Sequence, residues 1–69
     1  MSLERQFTNQ GRVYRFVVTN RLEGWEVREE EDSSVLRLVR RQDWHRVERD
    51  IHLFELRALA LKKEGWIEN

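Results

Sequence analysis

Cysteine is absent from this chain, and so is proline. Without thiols there is no disulfide, no thiolate metal site and no thiol redox chemistry, so packing alone must hold the fold together. There is no low-complexity tract, internal repeat or linker-like shift in composition either, and residues 1–69 read as one domain. An excess of one charge is also missing. Thirteen Lys+Arg stand against 13 Asp+Glu, which leaves no global field to attract nucleic acid or an anionic membrane, so any such binding must come from a local patch. Long hydrophobic runs are lacking as well. The most apolar stretch, Ile51 to Leu61, is too short and too interrupted to span a bilayer, and Met1-Ser2-Leu3-Glu4-Arg5 has no apolar signal core, so the expected setting is the cytoplasm, with no membrane partner. Lysine is scarce: two Lys accompany eleven Arg, a balance that favours bidentate or stacked contacts with carboxylates and phosphates over diffuse charge.

What is present is periodic. Arg12 to Leu22 alternates Tyr14, Phe16 and Val18 against Val13, Arg15, Val17, Thr19 and Arg21, the period of two that a half-buried strand requires. Gly24 to Glu30 repeats this with Trp25 and Val27 against Glu26, Arg28 and Glu30, and Ser34 to Arg41 does so with Leu36 and Leu38 against Val35, Arg37 and Val39. Gly11, Gly24 and Glu31-Asp32-Ser33-Ser34 mark the turns between them, and Asn9-Gln10-Gly11 would close a hairpin onto a further strand at Leu3 to Thr8. That first stretch has the alternative of being a disordered terminus. From Asp43 the period becomes helical, with Trp44, Val47, Ile51, Phe54, Ala58 and Leu61 on one stripe, Asp43 as N-cap, Lys62 and Lys63 in the last turn and Gly65 as the left-handed stop. The expected fold is therefore α+β: an antiparallel meander of three or four strands (about 3–8, 12–22, 24–31 and 34–41), then one long helix (about 43–64) packed across the sheet face that carries Tyr14, Phe16, Val18, Trp25, Val27, Leu36 and Leu38.

A second apolar strip occupies the C-terminal half of that helix. Leu53, Leu56 and Ala60 lie about 140–200° round from Ile51, with Leu59 beside them, and one sheet cannot cover both sides of a helix. Either the N-terminal strand or Trp66-Ile67 folds over the strip, or a partner does, most simply a second copy. A chain of this size, with so small a core, would gain from that second copy. The expectation is a homodimer held by Leu53, Leu56, Leu59 and Ala60.

Catalytic chemistry finds little footing. His45, Glu48 and His52 share one arc of the helix, but the two histidines are roughly 10 Å apart along its axis, too far to ligate one ion, and read as a solvated face. Glycine-rich phosphate loops, nucleophile elbows and paired catalytic carboxylates are all absent, and a sheet covered by one helix offers no cleft in which to shift an acid, so no enzyme, no cofactor, no metal and no small-molecule substrate are expected. By alternation the outer sheet face would carry Arg15, Arg21, Arg28, Arg37 and Arg41 among Glu26 and Glu30, a pattern read first as cross-strand ion pairing and second as a phosphate-binding surface. Tyr14 and Phe16, the aromatics able to stack on bases, fall on the other face unless the register slips by one. Trp25, Trp44 and Trp66 each sit beside a turn or a helix end and read as core rim.

Gly24-Trp25-Glu26-Val27-Arg28-Glu29-Glu30, Asp43-Trp44-His45-Arg46-Val47-Glu48-Arg49 and Gly65-Trp66 resemble small bacterial proteins that have no assigned function, and that resemblance implies no particular activity. In architecture alone, four meander strands and then a helix are similar to the unit of Whirly and PUR-repeat proteins, which pair two such units to bind single-stranded nucleic acid. The similarity makes weak nucleic-acid binding through the arginine-bearing sheet face the runner-up to a self-associating interaction module.

Overall fold

The computed structural model describes residues 2–69. Four antiparallel strands run as a meander, β1 (Ser2–Asn9), β2 (Arg12–Arg21), β3 (Gly24–Glu31) and β4 (Ser34–Arg41), followed by helix α1 (Trp44–Lys63) and a two-residue strand β5 (Ile67–Glu68). The sheet order is β4-β3-β2-β1-β5, so every connection within the meander joins neighbours. This is the α+β architecture that the alternation and the change of period imply. The first stretch is ordered as β1, where Phe7 is fully buried opposite Tyr14.

Short turns fix the register. Gln10-Gly11 and Asp32-Ser33 both place two consecutive residues at positive φ, the backbone of the two-residue hairpin loops whose twist matches that of their strands. Asp32 also ties the second loop back onto β2: the Val13 N–H donates to its carboxylate at 2.9 Å, and its own N–H donates to the Val13 carbonyl at 2.8 Å. That backbone donor holds the Asp32 carboxyl below its ordinary range.

Helix α1 begins where Asp43 accepts a hydrogen bond from the His45 N–H. It ends at Gly65 (φ 97°), with Gly65 N–H donating to the Lys62 carbonyl and Trp66 N–H to the Leu61 carbonyl, the paired bonds of a Schellman stop. The reversal turns the chain back along β1. Trp66 meets Tyr14 edge-on at 6.5 Å, and Ile67-Glu68 pairs with Phe7-Thr8 as β5, a fifth strand beyond the expected four.

The core lies between sheet and helix and is built from Phe7, Tyr14, Phe16, Val18, Val27, Val47, Phe54, Ala58 and Leu61. Phe54 is its centre, stacked on Phe16 at 4.2 Å and near Tyr14 and Phe7 at 6.1 and 5.9 Å. At the other end of the helix, Trp25 and Trp44 pack together at 5.2 Å as half-buried rim residues.

Strand β4 departs from the expected alternation. Trp25 pairs with Arg41, Val27 with Val39 and Glu29 with Arg37, so Val39, Arg37 and Arg41 face the helix, while Leu38 and Leu36 are 49% and 53% exposed. A bulge opposite Glu29/Glu30 accompanies the change. The sequence Val35-Leu36-Arg37-Leu38-Val39 is apolar at both parities, so alternation alone cannot choose its inward face. The choice follows from the turn length and from what the helix presents to β4, which is a carboxylate.

Candidate functional site

Three surfaces are candidates for a site. The first is the outer face of α1. With Val47, Phe54, Ala58 and Leu61 committed to the core, Leu53, Leu56 and Leu59 are left 50%, 54% and 59% exposed, and Ala60 is exposed beside them. Neither of the intramolecular covers reaches them: β1 is in the sheet, Trp66 is turned onto Tyr14, and Ile67 pairs with Thr8 and is itself exposed. The four residues thus form one uncovered strip on a helix whose other side is full.

The second surface is the outer face of the sheet, where arginines and glutamates alternate in a chain of contacts. Arg15 bridges Glu4 (2.8 Å) and Glu30 (3.2 Å), Arg28 bridges Glu30 (2.8 Å) and Glu26 (3.7 Å), and Arg21 reaches Glu26 at 3.3 Å. Glu26 is buried beneath these guanidinium groups. Of the five arginines expected to share this face, Arg15, Arg21 and Arg28 do so, and each is matched by a carboxylate. Arg37 and Arg41 lie on the opposite side, because the β4 parity is reversed, and Arg40 takes their place outside, 4.0 Å from Glu26.

The third surface centres on Asp50, which the helical pattern passes over because it interrupts the apolar stripe between Val47 and Phe54. It is buried in the helix–sheet interface and takes both oxygens to Arg41, Nε at 2.9 Å and Nη2 at 3.2 Å, with Arg37 a further 4.0 Å away. A fork of this kind fixes the guanidinium in one orientation. Arg46 and Arg49, one turn back on the helix, complete a cleft of about 390 Å3 with Arg37, Arg41, Asp50 and Leu53. Part of the signal is in the sequence, an acid at a core-facing helical position that must be paired if buried, but which cation answers it depends on the β4 register.

The remaining candidates are dispersed. His45, Glu48 and His52 are all exposed, with His45 and Glu48 3.6 Å apart. Among the described residues no three His, Asp or Glu side chains converge as metal ligands, and no helix is long and apolar enough to cross a membrane. No family model matches the chain, and neither does any curated protein or solved structure.

Proposed function

We propose that this chain is a non-enzymatic assembly module whose first partner is a second copy of itself, joined through Leu53, Leu56, Leu59 and Ala60. The observation that carries the reading is the uncovered leucine strip on a helix that already spends its other side on the core. Strand β4 is the competing surface, since it is an open edge of the sheet and exposes Val35, Leu36 and Leu38. It carries the usual defences of an edge strand, however: a bulge, and arginines at positions 37, 40 and 41. The helix has no such protection.

Light scattering and sedimentation at micromolar to millimolar concentration test the proposal. The expected result is a dimer that Leu56→Arg converts to a folded monomer, because a buried unpaired charge costs far more than the interface recovers. A monomer at every concentration would overturn it. The alternative, single-stranded nucleic acid bound on the outer sheet face, has less support, because the arginines there are each matched by a glutamate and two of the five stand on the other side of the sheet.

A further inference from the structure

The cleft between β4 and the N-terminal half of α1 holds four guanidinium groups, those of Arg37, Arg41, Arg46 and Arg49, against the single carboxylate of Asp50. Elsewhere most arginines of this neutral chain are matched: Arg5, Arg12, Arg15 and Arg28 each contact two carboxylates, Arg21 contacts Glu26, and Arg57 lies over the Tyr14 ring instead. In the cleft the matching stops. Among the described residues no carboxylate pairs with Arg46 or Arg49, and Arg37 only approaches, at 4.0 Å, the Asp50 Oδ1 that already accepts from Arg41 Nη2.

Cations gathered in one concave site repel one another unless an anion joins them, and the geometry is suited to receiving one. Arg41 is held rigidly by Asp50, so part of the ordering cost of a bound anion is already met, and its N–H groups beyond the two given to Asp50 are left to donate. Arg37, Arg46 and Arg49 are exposed at the mouth and free to converge. Planar guanidinium forks match a tetrahedral oxyanion at two oxygens at a time, which an ammonium does not. The volume admits a phosphate or a small phosphorylated molecule, and the open side next to Leu53 leaves room for what the phosphate is attached to.

We propose that this cleft is a phosphate-binding site, with Arg46 and Arg49 supplying the unmatched charge, Arg37 closing over the anion and Asp50 acting as the residue that positions Arg41. The ligand chemistry is a phosphoryl oxyanion, carried either by a small molecule or by a nucleic-acid backbone. The site is separate from the self-association strip, which meets it only at Leu53.

Calorimetric titration of the full chain at low salt with inorganic phosphate, pyrophosphate and a short oligothymidylate tests this, with the arginine side-chain N–H resonances followed by NMR. The expected result is saturable binding of at least one probe that weakens about tenfold or more in Arg46→Gln/Arg49→Gln, the loss of one or two charge-assisted hydrogen bonds. Arg40→Gln, on the outer face, should bind as the parent does. Pyrophosphate bound and oligonucleotide rejected assigns a small phosphorylated ligand, and the reverse assigns the phosphodiester backbone. Both of the substituted positions are exposed, so circular dichroism should show an unchanged fold. No saturable binding of any probe, or equal weakening by Arg40→Gln and by the double variant, would overturn the proposal.

Discussion

Gly24 shows how closely one residue can be specified by its neighbours. It sits at φ 131°, and a Cβ built there would fall 2.4 Å from the Arg41 carbonyl oxygen, which is backbone and has no rotamer to escape into. Gly11 also has positive φ (82°) but open space around it. Gly24→Ala is therefore expected to destabilise the protein by about 1–3 kcal/mol from backbone strain alone, and by more once the β3–β4 rung shifts. Gly11→Ala should cost about 1–2 kcal/mol. Urea denaturation of the two variants checks the order, and equal midpoints would show that the carbonyl contact is not what selects glycine at 24. Both glycines are visible in the sequence as turn signals, but the difference between them is not, because it arises from Arg41, seventeen positions along the chain, which pairs with Trp25 and brings its carbonyl against Gly24. Asp50 carries the same lesson. Its identity is plain in the sequence, whereas its burial depends on Arg41 lying beneath it, and neither the helical nor the strand period reports that pairing.

At the scale of elements, the strands and the helix were legible because the chain's turn chemistry is local. Two-residue loops and a capped helix declare themselves within a few positions. Faces were legible only where one parity is clearly polar. Strand β2 meets that condition and β4 does not, which is why Leu36 and Leu38 were expected inside and Arg37 and Arg41 outside. Strand β5 was missed for another reason: two residues are too few to show a period, and what recruits them is a charge pair made far away in sequence. Arg5 donates from Nε and Nη2 to the two oxygens of Glu68 at 2.7 and 2.8 Å, while its guanidinium lies over the rings of Phe7 and Phe54. Arg5, with Lys62 at 3.3 Å, holds the Glu68 carboxyl at about 2, down from its ordinary 4.5. A carboxyl lowered in the folded state contributes stability that is complete above the unfolded value and lost as the proton returns. The contribution of Glu68 is thus expected to be full above pH 4.5 and to fade as the pH falls toward 2. Stability of the parent should drop more steeply through that window than stability of Glu68→Gln, which has no carboxyl to titrate there. Parallel acid-side stability curves for the two proteins would show that Arg5–Glu68 does not hold β5 in place.

For the whole molecule the constraint is size. Sixty-nine residues with one small core, no disulfide and no metal ligand cluster among the described residues leave no covalent or metal staple beside packing, hydrogen bonds and ion pairs, and the body is long and thin at 37 × 22 × 18 Å. A flat sheet under a single helix exposes much of that helix, and this chain places leucines where a solitary domain would place polar residues. If a second copy covers them, folding and association are one equilibrium, and mass action couples stability to concentration. Each tenfold rise in protein concentration then adds about 1.4 kcal/mol per mole of dimer. The melting temperature of the parent is accordingly expected to climb with concentration, while that of Leu56→Arg, confined to the monomer, should be lower and should stay constant. Differential scanning calorimetry over about a hundredfold range of concentration reads both trends. The comparison also separates two roles for the leucines: a strip that merely stiffens the isolated helix would lower the melting temperature of the variant by the same amount at every concentration, whereas an interface gives a gap that widens as the protein is concentrated. A constant gap would therefore remove the assembly reading while leaving the fold, and the arginine cleft beside it, as they stand.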